Sequence, residues 1–169
     1  MSFAMPSEKR GDEHTISVPI GRIAVAKAPA RLCTLLGSCV GVVLHDPARK
    51  AGGIAHILLP SSQGAPNDHV GKYADTAIPS LLVELDRVAG AGARSRVNAR
   101  LAGGATMFQT NQTLAIGERN LLAVEQILLE LRIPILGRDV GGQVGRRVTL
   151  ETTSGRVLVK IPGGAEYDV

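Results

Sequence analysis

Apolar and polar positions alternate in short bouts along the chain, and these bouts predict about eight strands and two helices. Residues 16–27, ISVPIGRIAVAK, alternate from Gly21 onward and read as a strand. Residues 31–36 and 39–45, rich in Leu and Val, read as two more. DPARK at 46–50 is a turn, because Pro47 fixes its own φ and Asp46 can accept a hydrogen bond from ahead. GGIAHILLP at 52–60 is a fourth strand closed by Pro60, and a polar loop, SSQGAPNDHV, follows. The spacing turns helical over 72–90, where Tyr73, Ala77, Ile78, Leu81, Leu82, Leu85 and Val88 recur on one face. Pro79 falls inside that helix, as a kink or as its proper start, and Gly90 and Gly92 end it. Residues 96–108 return to strand and break at Gly103–Gly104. A second helix over 118–132 gathers Leu121, Val124, Leu128 and Leu131. Strands near 133–139, 147–152 and 156–161 finish the chain, the last two joined as a hairpin by Thr153–Ser154–Gly155.

Neighbouring strands early and late imply antiparallel pairing, and two amphipathic helices can cover only one sheet face. The fold expected is α/β with mixed or antiparallel sheets, not a doubly wound parallel sheet. The 169 residues suffice for one domain, expected over 16–169 behind a flexible leader at 1–15. That leader has no apolar core behind a basic end, so it is not read as a signal peptide. Apolar runs such as Leu121 to Leu131 are broken by charge and fall short of a membrane span. A cytoplasmic protein is expected.

Charge changes the picture little. The formal net charge is +4, but the basic residues are scattered, and two Tyr, two Phe and no Trp leave little to stack on bases. Nucleic acid is therefore set aside, and an acidic protein partner accounts for the basic excess equally well. Two cysteines are too few for a disulfide scaffold or a zinc site, and no His-rich spacing or carboxylate pair points to a metal. No phosphate-binding glycine motif is matched, so no nucleotide or other cofactor is expected.

One stretch does not fit core filling: CTLLGSCVGVVLHD, residues 33–46, interrupts an apolar run with Gly37 and Ser38 and then places Cys39. A buried free cysteine is usually a small hydrophobe. Here small residues let another backbone approach, and the amide N–H groups around Ser38 and Cys39 can face a developing oxyanion. A thiol also needs a base. His14 and His69 read as solvent-facing, and His45 lies about 20 Å away along an extended strand. His56 remains. A regular hairpin would set it opposite Val42, leaving roughly 10 Å to close, so spacing permits the pair without requiring it.

Taken in order, LGSCVGVVLHDP, GGIAHILLP, KYADTAIPSLL, RLAGGATMF, IGERN and DVGGQVGRR resemble the CheD family of chemoreceptor glutamine deamidases, over about residues 16–161. The resemblance implies a layered α-β-β sandwich. It implies hydrolysis of glutamine side-chain amides on chemoreceptors, with ester hydrolysis as a side activity, and a CheC-type phosphatase as a partner. It maps the nucleophile onto Cys39, as a thiolate beside protonated His56. It also implies a threonine six residues before the nucleophile to orient the imidazole. That position is Cys33, and the threonine is displaced by one to Thr34, so it lies on the opposite strand face unless the register shifts. A Lys and an aromatic expected before Gly103 are Arg100 and Ala102. The Cys33 departure keeps a second reading open, a weakly catalytic or non-catalytic regulatory binding module for receptors or a CheC-type phosphatase.

Overall fold

The structure is a computed structural model, and it describes residues 14–64, 69–107 and 116–169. Most of the expected leader, part of the 61–70 loop and Phe108 lie outside the described residues. Ten strands form two five-stranded sheets. The first holds β1 (His14–Ser17), β3 (Ala30–Leu36), β8 (Arg146–Glu151), β9 (Val157–Lys160) and β10 (Glu166–Asp168), in that spatial order. The second runs β2 (Ile23–Lys27), β5 (Ala51–Ile57), β4 (Val40–Asp46), β6 (Asn98–Gly103), β7 (Ile135–Val140). Among the ten strands of the described residues, β1 with β3 and β6 with β7 pair in parallel and the other pairs are antiparallel, so both sheets are mixed, as the sequence predicts.

The layering follows from side-chain alternation. Val40, Val42 and Leu44 of β4 join Ala55 and Ile57 of β5 under the helices α1 (Ala74–Ala89) and α3 (Ile116–Glu130). The opposite parity, with Val43 and Ile54, meets Leu32, Leu36, Val148 and Leu150 of the first sheet. Helices, second sheet and first sheet therefore stack as three layers. The central strands β4 and β5 are buried on both faces, which is why they read as continuous apolar runs. A single-turn helix, α2 (Ala93–Arg96), follows α1. No helix among the described residues is long and apolar enough to cross a membrane.

Three expectations are corrected. The strand expected over 16–27 is two strands in different sheets, because Pro19 and Gly21, the latter at φ +73°, turn the chain from one layer to the other. The strand expected at 156–161 does not finish the chain: the tail adds β10, antiparallel to β9. The β4–β5 hairpin is one residue out from the expected register: His56 lies opposite Gly41, not Val42. That single step decides the site, because Gly41 shares its parity with Cys39 and Val42 does not.

Candidate active site

Residues 37–39 are the bend by which the chain leaves β3 in the first sheet and enters β4 in the second. Cys39 thus sits at the seam between sheets, just before β4 rather than at its first position. The bend is pinned from one side by the end of β6. Gly104 donates its N–H to the Cys39 carbonyl at 2.8 Å, and Ala105 donates to the Gly37 carbonyl at 3.0 Å. Gly103, at φ +91°, lies so close that a Cβ there would stand 2.3 Å from the Cys39 carbonyl oxygen. The glycine pair serves that approach and is no nucleotide loop. Neither the Ser38 nor the Cys39 N–H has a backbone acceptor among the described residues.

His56 enters the same seam from β5. Its backbone is held on both sides by the turn after β1: its N–H donates to Arg22 at 3.0 Å and its carbonyl accepts from Gly21 at 2.9 Å. Its Nδ1 lies 2.7 Å from the Thr34 hydroxyl, on the inner face of β3. Thr34 in turn donates to the Val18 carbonyl, also at 2.7 Å. A hydroxyl has one proton. With that proton on Val18, Thr34 accepts from Nδ1–H, and the neutral imidazole keeps its Nε2 lone pair free for a proton. The tautomer follows from this network rather than from a seen hydrogen.

Cys33 occupies the other face of β3, half-buried, with Thr149 of β8 alongside. It does not face His56. The residue that meets the imidazole is Thr34, and the register of β3 supplies the hydroxyl that simple counting assigned to the wrong side.

Cys39, His56, Thr34, Gly37 and Ser38 line one pocket of about 460 Å³, rimmed by Ile20, Leu35 and Met107. Cys39 and His56 are only 6% and 5% exposed, yet both line the pocket. Burial pushes the Cys39 thiol above its ordinary range. Burial also holds the His56 imidazole below its own, with the Val18 carbonyl acting in the opposite direction. Neither shift draws on the other group. Desolvation penalises whichever form is charged, so both shifts favour the uncharged forms, thiol and neutral imidazole. His45, by contrast, is buried with Nε2 2.8 Å from the Thr152 carbonyl, far along the same seam. Among the described residues no group of three His, Cys, Asp or Glu side chains is placed to hold a metal ion.

Sequence reasoning missed three residues that shape the site. Val18 takes the Thr34 proton, Met107 closes the rim, and fully buried Asn120 of α3 donates to the Leu58 carbonyl at 2.8 Å, just beyond β5. The first two sit in connections where spacing carries no signal. Asn120 was within reach: a polar residue on the apolar face of an amphipathic helix is itself unusual.

Comparison with known proteins bears on this geometry. The family described as CheD chemotactic sensory transduction matches residues 58–161, a span that starts just past His56. A probable chemoreceptor glutamine deamidase CheD of Methanococcus maripaludis (strain C6) is 44% identical over 147 residues, covering 86% of this chain and 94% of its own. The chemoreceptor glutamine deamidase CheD of Thermotoga maritima is 43% identical over 151 residues, covering 88% and 93%. Among solved structures, the Bacillus licheniformis hypothetical protein YfiH matches with a TM-score of 0.45 and 15% identity, over 70% of this chain and 49% of its own.

Proposed function

This chain belongs to the CheD family, and from that premise we propose that it is a chemoreceptor glutamine deamidase whose nucleophile is Cys39 and whose base is His56. The observation that carries the assignment of residues is the Val18–Thr34–His56 relay opening onto the pocket that Cys39 lines. The cycle starts from neutral groups. As the Cys39 sulfur attacks the glutamine Cδ, His56 Nε2 takes the thiol proton, so charge appears only as the bond forms. The N–H groups of Ser38 and Cys39 receive the oxyanion. The imidazolium then gives its proton to the departing amine, ammonia leaves, and a thioester remains. Neutral His56 next draws a proton from water, the hydroxide adds to the thioester carbonyl, and the sulfur leaves to be reprotonated. The products are glutamate and free enzyme.

A glutamate methyl ester reaches the same thioester with methanol leaving in place of ammonia, so receptor esterase activity follows from one set of atoms. The binding-module reading rested on the loss of the orienting threonine, and the Thr34 contact removes that ground. The reading places the protein in the cytoplasm, acting on receptor segments, with a CheC-type phosphatase as a restraining partner. The deciding experiment incubates purified receptor fragments with the protein and follows ammonia and the amide-to-acid mass change. Cys39→Ala is expected to abolish both while keeping the native circular dichroism and melting profile. Unaltered conversion by that variant would remove Cys39 as nucleophile.

A further inference from the structure

A second groove of about 480 Å³ adjoins the Cys39 pocket and shares Leu35, Gly37 and Met107 with it. Its far wall comes from Gly145, Arg147 and Lys160, on the outer face of the first sheet. The registers make this wall a row: Leu35 of β3 opposes Arg147 of β8, and Arg147 opposes Lys160 of β9. Two like charges directly across a strand pair cost stability. Among the described residues no ion pair relieves them, and the one carboxylate on their row is Glu166, opposite Lys160. Among the described residues no carboxylate lines the groove, and neither Arg147 nor Lys160 makes an ion pair or side-chain hydrogen bond. Glu166 of β10 stands across from Lys160 on its other side without pairing with it. Arg146, the third cation, is spent on Asp139 at 2.5 Å and on the Asp139, Gly141 and Val144 carbonyls. Leu35, 66% exposed, and Met107 complete an apolar lip between this cationic row and the thiol pocket.

We propose that this groove is a specificity subsite for an acidic peptide segment, one whose carboxylates flank the target glutamine and meet Arg147 and Lys160 while apolar atoms lie on Leu35 and Met107. The inference deepens the deamidase reading and rests on it for the role of the neighbouring pocket. Its warrant is complementarity together with continuity: two cations without an ion-pair partner among the described residues, in a groove that opens through one shared lip onto the thiol. An acidic occupant adds to Glu166 in offsetting the like-charge cost between Arg147 and Lys160.

The test uses two synthetic peptides of about 20 residues, long enough to retain local structure. Each holds one central glutamine, flanked by two glutamates in one and two alanines in the other. Binding to the Cys39→Ala protein, which leaves the amide intact, is read by fluorescence anisotropy at low and high salt. The acidic peptide is expected to bind about five- to ten-fold tighter at low salt and to lose that lead at high salt. In Arg147→Glu/Lys160→Glu the preference disappears, and a lysine-flanked peptide gains. Single Arg147→Gln and Lys160→Gln variants each lose part of the lead, which covers a double variant that does not fold. Equal affinities for the two peptides, or a preference that survives both substitutions, overturns the subsite. Ammonia release from receptor without charge preference rejects the subsite alone. A charge preference in a protein that releases no ammonia keeps the groove and rejects the deamidase.

Discussion

Thr34 has a single proton and two neighbours that want one side of it, and this fixes what each neighbouring group can do. Val18 offers only a carbonyl, so the proton goes there, and the imidazole must donate from Nδ1. Thr34→Val therefore takes the hydroxyl acceptor away from the buried Nδ1–H, at about 1–3 kcal/mol, and frees the ring to turn toward the Val18 carbonyl. A fall in kcat of roughly ten- to a hundred-fold with KM little changed is expected, with Thr34→Ser restoring most of it. Cys33→Ala, on the outer face, should leave kcat as it was; if it lowers kcat as far as Thr34→Val does, the relay is misassigned. The acid limb of kcat/KM gives a second check. Desolvation holds His56 below its ordinary pKa of about 6.5, so the neutral base persists as pH falls past that value. The limb should have its midpoint below 6.5, and the neutral ring's contribution to stability is likewise complete above that pH and lost as pH drops through the lowered pKa. Iodoacetamide should label Cys39 faster as pH rises beyond the ordinary thiol range, because its pKa is raised. A fast, pH-independent labelling plateau in acid would instead reveal a preformed ion pair.

At the scale of elements, the bend that carries Cys39 is shaped less by its own residues than by the strand end packed behind it. Gly103 has both a left-handed φ of +91° and no room for a Cβ, whereas Gly141 has φ +80° and open space. Gly141→Ala should cost only the backbone term, about 1–2 kcal/mol. Gly103→Ala adds a clash with the Cys39 carbonyl, so it should melt at a clearly lower temperature and lose deamidation even where it remains folded. Equal melting points for the two variants would mean the bend gives way easily. The same bend shows why the site was only partly legible beforehand. Cys39, His56 and the glycine pair stood out because their residue types are odd choices for a core. Their convergence was hidden, because a one-residue step in the β4–β5 register flips which side chains share a face. The break between β1 and β2 was masked because 16–27 was read as one strand although its alternation starts only at Gly21, and alternation does not say which sheet a strand joins. The long elements α1, α3, β4 and β5 were legible because burial on one or both faces writes an unbroken period into the residues.

For the whole molecule, the seam between the sheets is crossed by two histidines with opposite fates. His45 and His56 both leave the second sheet on the same side, and each finds a partner on the first: the Thr152 carbonyl for one, the Thr34 hydroxyl for the other. The His45 end is sealed by Gly155, where a Cβ would stand 2.6 Å from Nδ1. Thr152 there also ties β3 to its neighbour, accepting from the Ala30 N–H at 3.0 Å and donating to the Ala30 carbonyl at 2.9 Å. The His56 end opens into the pocket. One imidazole is thus a rivet and the other a base, and what separates them is whether solvent and substrate reach the ring. His45→Leu strands a buried carbonyl, at about 1–3 kcal/mol, which lowers Tm by roughly 2–12 °C for a chain of this size. Per folded molecule its deamidation should match the unaltered protein. His56→Gln keeps a donor for Thr34 and should melt close to the unaltered protein, but without a base its turnover falls by roughly 10²–10⁴. Calorimetry and ammonia release on the two variants separate the roles. If His45→Leu loses turnover while its melting is unmoved, or His56→Gln unfolds instead of falling silent, the division of the seam into a closed structural end and an open chemical end is wrong.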